Sequence, residues 1–86
     1  MNRWPSLKQL HYLILLAEYQ NFNRAAKACF VSQSTLSAGI QTLEESLGVK
    51  LLNRVGRGVA LTVAGRELAA GANEALADVV KGVAEG

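Results

Sequence analysis

The interval between two short helical segments constrains this chain more than any other feature of its sequence. Arg24-Ala-Ala-Lys-Ala-Cys29 is an alanine-rich run of high helix propensity, and only Phe30 and Val31 separate it from Ser32, a good N-cap for a further helix. In that further segment, 32–47, Leu36, Ile40, Leu43 and Leu47 mark one inward face until Gly48 ends it. Helices this short are marginal alone, so the pair needs a third surface to pack on. An earlier segment provides one. Ser6-Leu-Lys-Gln9 reads as a capping box with Pro5 blocking extension upstream, and Leu7, Leu10, Ile14 and Ala17 then recur at helical spacing, which predicts a helix over residues 7–18. Leu13, Leu15 and Leu16 widen its apolar surface beyond one stripe, so this helix must pack on two things.

Downstream, Val49–Arg54 and Val59–Thr62 are short β-prone runs around Val-Gly-Arg-Gly at 55–58, the pattern of a hairpin. Thr62 caps a last helix, in which Leu68, Ala69, Ala72, Ala75, Leu76, Val79, Val80 and Val83 fall within one apolar arc. The order helix, helix, tight turn, helix, hairpin, long helix gives the fold class: mainly α, a winged helix-turn-helix with a three-helix core and a β-hairpin wing, followed by a long C-terminal helix. The expected division is 1–62 for the winged domain and 63–86 for the linker helix. A chain of 86 residues, half of them hydrophobic and with a single proline, is one small folded domain rather than a disordered tail.

The inventory narrows the function. One cysteine cannot close an internal disulfide, which points to a reducing compartment, and one His with one Cys and one Asp cannot build a standard zinc site. His11 has no Asp or Cys at a catalytic spacing, and Gly56-Arg-Gly58 is neither a Rossmann nor a P-loop pattern, so no enzyme and no cofactor is expected. The longest apolar run, Tyr12–Ala17, is far short of a membrane span, and the first residues show no signal-peptide pattern, so a cytoplasmic protein without a membrane partner is expected. Charge is uneven. Residues 1–66 carry eight Lys and Arg against three Glu, a net +5, whereas residues 67–86 carry Lys81 against four acids, a net −3. A basic body with an acidic appendage fits a nucleic-acid partner.

Several linked motifs then resemble one family. Phe22–Ala28 (FNRAAKA), Val31–Ser37 (VSQSTLS), Ile40–Arg54 (IQTLEESLGVKLLNR), Gly56–Thr62 (GRGVALT) and Ala64-Gly65 follow one another without gaps, and together resemble the N-terminal domain of LysR-type transcriptional regulators. The resemblance covers essentially the whole chain. It implies a bacterial regulator that binds a promoter with an interrupted inverted repeat, as a homodimer joined through the last helix. It also implies a larger domain following this one, which alone would take a small-molecule effector. The sequence departs from the family pattern in the recognition helix. Ser34 stands where Pro is usual, Ala38 and Gly39 where Arg and Gln are common, and Gln41 or Thr42 where a basic residue is common, so this helix is unusually uncharged.

The candidate DNA contacts follow from the face opposite the inward leucines. Ser34, Ala38 and Gln41, flanked by Thr35, Ser37 and Thr42, are small or amide-bearing and suit a major groove, and Ser32 and Gln33 open the helix. Arg54 and Arg57 bracket the wing and suit phosphates or the minor groove; Arg24 and Lys50 are looser phosphate candidates, as are Lys27 and Arg66. The plain alternatives are a polar solvent face and a solubilising hairpin tip. Dimerisation is assigned to Leu68, Ala72, Leu76, Val79 and Val83 of the last helix, with Leu13 and Leu16 of the first offering further surface to the partner copy. Phe22, Phe30, Ala25 and Ala26 read as core, His11 as a structural histidine on the apolar flank of the first helix, and Cys29 as a buried small residue. The competing reading is a helical protein–protein interaction domain on the same scaffold that binds no DNA.

Overall fold

The computed structural model describes residues 6–56 and 58–85, with side chains as far as Asp78. Four helices and one hairpin follow in the order α1 (Leu7–Tyr19), α2 (Phe22–Cys29), α3 (Gln33–Leu47), β1 (Leu52–Val55), β2 (Gly58–Leu61) and α4 (Val63–Glu85). This is the winged helix-turn-helix the sequence predicts.

Each helix starts where a short polar side chain satisfies its orphan amides. Ser6 Oγ accepts from the Gln9 amide and Gln9 Oε1 accepts from the Ser6 amide, both at 3.1 Å, which is the capping box. Asn21 Oδ1 accepts from the Arg24 amide at 2.8 Å, and Ser32 Oγ from the Thr35 amide at 3.1 Å. Thr62 performs two tasks at once. Its Oγ1 accepts from the Gly65 amide at 3.0 Å to start α4, and its hydroxyl donates to the Lys50 carbonyl at 2.8 Å, tying α4 to the chain that enters the hairpin.

The ends are equally local. α3 stops at Gly48, whose φ of 70° lies in the left-handed region that glycine adopts without strain. α2 stops at Phe30, with φ 61°; the Phe30 amide donates to the Lys27 carbonyl and the Val31 amide to the Ala26 carbonyl, the paired bonds of a Schellman motif. This overturns the reading of Phe30 as core: the side chain is 94% exposed. Here the left-handed residue that closes α2 carries its ring into solvent despite its hydrophobicity.

The core is a layer of Tyr12, Leu13 and Leu16 from α1, Ala25 and Ala26 from α2, and Leu36, Ile40 and Leu43 from α3, closed by Leu51, Val59, Leu61 and Ala69. α1 is central, packing against α2, α3 and α4. That corrects a second expectation. Leu13 and Leu16 are 0% exposed within their own domain and have no surface left for a partner copy. The second apolar side of α1 is instead met by the first half of its own α4, where Ala69 and Ala72 are buried and Leu68 packs on the core edge. The small alanines allow that approach. His11 is exposed, not part of an apolar flank, and Leu47 is at the partly open end of α3.

The hairpin pairs Leu52 with Leu61, Asn53 with Ala60, Arg54 with Val59 and Val55 with Gly58. Its strands are shorter than the sequence runs, because Val49–Leu51 are taken up in leaving α3 and Thr62 in starting α4. Among the described residues no helix is long and apolar enough to cross a membrane.

Candidate nucleic-acid interface

α3 buries Leu36, Ile40 and Leu43 and turns Gln33, Ser34, Thr35, Ala38, Gln41 and Thr42 outward, with Ser37 half-buried between the two faces. The residues that the sequence assigns to this face do not all stay together. Gln33, Ser34, Ser37, Ala38 and Gln41 line one open groove of about 460 Å³, joined by Phe22 from the start of α2 and Arg54 from β1. Ser32 and Thr35 fall outside its lining. Their hydroxyls are turned to each other, with Ser32 Oγ donating to Thr35 Oγ1 at 2.9 Å, so both serve the helix start first.

Arg54 reaches the groove because of Phe22. Its guanidinium carbon lies 5.2 Å from the centroid of the Phe22 ring, a cation–π stack that holds a long side chain in one orientation beside α3. The sequence offered Phe22 only as core; it is half-buried and forms the platform for this arginine. A pairing of an exposed strand arginine with an aromatic residue thirty-two positions earlier leaves no local sequence signal.

A second open groove, about 720 Å³, continues between α3 and the hairpin and is lined by Ser37, Gln41, Glu44, Glu45, Lys50 and Arg54 among others. Lys50 therefore borders the same face. Arg24 is exposed on the first turn of α2, two residues after Phe22, but lines neither groove. Arg57, and the side chains of Val79 and Val83, lie outside the described residues. Glu44 was not foreseen. Its Oε2 accepts from the amides of Leu51 and Leu52 at 2.7 and 3.2 Å, fastening the start of β1 to the last turns of α3. A carboxylate near a helix C-terminus is disfavoured by the helix dipole, and that local misfit was the available clue to a distant partner.

The face carries no positive charge of its own. Gln33–Leu47 contains two glutamates and no Lys or Arg, and the bordering cations come from β1 and from the α3–β1 connection. Hydroxyl, amide and methyl groups are presented on a rigid, well-packed helix, with guanidinium and ammonium groups to one side. Such a face can hydrogen-bond and fill a shallow polar surface while neighbouring cations hold an anionic backbone.

A two-helix unit joined by a tight turn, with a hairpin wing beside its second helix, defines the winged helix-turn-helix class. Residues 7–66 match the family described as bacterial regulatory helix-turn-helix protein, lysR family. The chain belongs to that family. It is 47% identical over 74 residues to a hydrogen peroxide-inducible genes activator of Pectobacterium carotovorum subsp. carotovorum, covering 86% of this chain and 24% of that protein. It is 49% identical over 74 residues to the HTH-type transcriptional regulator EstR of Acinetobacter baylyi, covering 86% of this chain and 25% of the regulator. The chain thus spans about a quarter of the length of the curated relatives it matches. Among solved structures, the BenM DNA-binding domain in complex with benA site 1 DNA superposes with a TM-score of 0.87 at 36% identity, covering 93% of each chain. The CbnR DNA-binding domain in its DNA complex gives 0.85 at 38% identity, covering 93% of this chain and 92% of the other.

Proposed function

We propose that this chain binds double-stranded DNA sequence-specifically in a bacterial transcriptional regulator, with α3 in a major groove and the wing, residues 54–58, at the adjoining phosphates or minor groove. The observation that carries the reading is the gathering of Gln33, Ser34, Ser37, Ala38, Gln41 and the stacked Arg54 around one open groove on the outer face of the second helix. Arg24, Lys50, Arg54 and Arg57 act as backbone contacts, which fix register, while the α3 face reads bases. The solved relatives in DNA complexes support this assignment.

The protein acts as a homodimer on an interrupted inverted repeat, and the pairing surface is the outer part of α4. Leu68 and Ala72 are turned to their own domain, so pairing starts from Leu76, which is half-buried in the protomer, and continues through Val79 and Val83. In the longer regulators a small-molecule effector belongs to the remainder of the protein, and the setting is the cytoplasm. The other reading, a protein-interaction domain on the same scaffold, draws on the absence of Lys and Arg from α3.

A salt titration on a fluorescent duplex separates the two. If each protomer neutralises about three phosphates, log affinity of the dimer falls with log salt at a slope of about −5. A flat response, or no binding at low salt, refutes the DNA reading. Sedimentation checks the dimer: Leu76→Asp yields a monomer with weakened DNA binding, whereas a parent that is already monomeric refutes pairing through α4.

A further inference from the structure

We infer that α3 recognises A·T base pairs and lacks the arginine or lysine that pairs with both guanine acceptors, so that the core of each half-site is an A·T element; this rests on the DNA-binding reading above. The argument starts from what the outer face can donate. Guanine is read in the major groove through O6 and N7, two acceptors matched by the fork of an arginine or by a lysine. The exposed residues from Gln33 to Thr42 include neither. What they do include matches the other two bases. A glutamine amide pairs bidentately with adenine N6 and N7, and Gln33 and Gln41 both line the groove. The thymine C5 methyl is recognised by apolar contact, and Ala38 stands exposed between those glutamines, on the same groove. Ser34 and Ser37 are small, so they do not hold the helix away from the base edges.

Nearby charged groups do not supply the missing fork. Arg54 enters from β1, outside the helix, with its guanidinium carbon over the Phe22 ring. Arg54 lines the groove together with Gln33, Ala38 and Gln41, but it is tied to Phe22 and not carried on the helix, which suits it to a phosphate rather than to base edges. Lys50 lines the neighbouring groove with Glu45, Ser37 and Gln41, and is not in the lining of the groove that holds Gln33 and Ala38. Base reading and backbone holding are therefore carried by different elements.

The test is selection from random duplex DNA with the whole 86-residue chain, followed by atom-level substitution in the selected site. Enriched half-sites have A·T pairs at the positions under α3. Replacing the contacted thymine by uracil removes one methyl and lowers affinity about fourfold, and this sensitivity disappears in Ala38→Gly. Replacing the contacted adenine by 7-deazaadenine lowers affinity of the parent about 5- to 150-fold and has no further effect in Gln41→Ala. Glycine loosens a helix whereas alanine strengthens it, so the Gln41 arm stands even if Ala38→Gly folds poorly. Ala38→Arg moves the selected base at that position towards guanine. Arg54→Ala weakens all sequences alike. Selected half-sites dominated by guanine under α3, or tolerance of both uracil and 7-deazaadenine, overturn the inference while leaving DNA binding in place. Binding with no enriched sequence overturns sequence-specific binding itself.

Discussion

Replacing Glu44 with alanine should cost this small domain a sizeable share of its stability. The carboxylate makes two charge-assisted bonds to consecutive amides, at 2.7 Å to Leu51 and 3.2 Å to Leu52, in a half-buried position. Leu51 is wholly buried, so its amide has little access to replacement water. A hydrogen bond to a charged group contributes about 1.5–3 kcal/mol, and a buried amide left unpaired costs about 1–3 kcal/mol. The longer bond to Leu52 lies at the half-exposed edge and is discounted. Alanine also recovers about 0.5 kcal/mol by removing a negative charge from the C-terminal end of α3. The balance is a loss of about 2–3 kcal/mol, against about 4–13 kcal/mol for a chain of this length. Urea unfolding followed by circular dichroism measures it directly, and the midpoint of thermal unfolding should fall by about 10–20 °C. Glu44→Gln keeps an acceptor oxygen and should lose only about 1 kcal/mol. A Glu44→Ala protein within about 0.5 kcal/mol of the parent, or a glutamine variant as damaged as the alanine one, refutes the clamp.

Three further outcomes follow from single positions. Phe30→Gly should stabilise the domain by about 0.5–1 kcal/mol, because it relieves a left-handed non-glycine residue and gives up almost no buried area; unchanged or lower urea midpoints count against that account. Gly65→Ala should destabilise by about 2 kcal/mol or more, even though alanine favours helices, since a Cβ there would fall on the Leu51 carbonyl, part of a backbone fixed by Glu44 and Thr62; the same unfolding assay decides it. Burial raises the Cys29 thiol above its ordinary range, so iodoacetamide should alkylate the native protein more slowly than the urea-unfolded one at pH 8.5. The folded state then holds the proton more tightly, so stability should decline as pH rises from the ordinary thiol range towards the raised value, and Cys29→Ser should remove that decline.

What the sequence made legible is what is settled over three or four residues. Ser6 with Gln9, Ser32 before α3 and Gly48 after it all act within one turn, and each lies where the pattern placed it; α2 starts at Phe22, two residues before the alanine-rich run, where Asn21 caps it. The hairpin followed from two glycines between β-branched residues. The misplaced residues depend on distant chain. Leu13 and Leu16 showed that α1 is apolar on two sides, but periodicity carries no information on what covers the second side, and α4 of the same chain does so. Gly65 carries no local signal of a partner, and the Leu51 carbonyl fourteen residues earlier explains it. Phe30 failed for the opposite reason: a local cap geometry decided the direction of the side chain against its hydrophobicity. In the candidate interface, the α3 face was legible from period alone, whereas the Phe22–Arg54 stack and the Glu44 clamp join residues that only the fold brings together.

Ala38 and Gly39 stand together where the family often has two long polar side chains, yet the structure gives them different surroundings on α3, Ala38 exposed and Gly39 against α1. A Cβ on Gly39 would lie 2.7 Å from two ring carbons of Tyr12, so the glycine makes room for a ring that is itself almost fully buried. Gly39 thus serves the contact of α3 with α1. Ala38 faces outward, bears on no part of the core, and is free to be chosen for what lies beyond the protein. The two small residues therefore serve different purposes. On the inner side Tyr12 occupies the space beside Gly39, which seats α3 closely against α1. On the outer side Ala38 leaves open space among the described residues, which on the proposed reading lets α3 enter a groove. On the proposed reading, a helix without long cations meets its target closely, and the holding charges come from the neighbouring strand and connection, at Arg54 and Lys50.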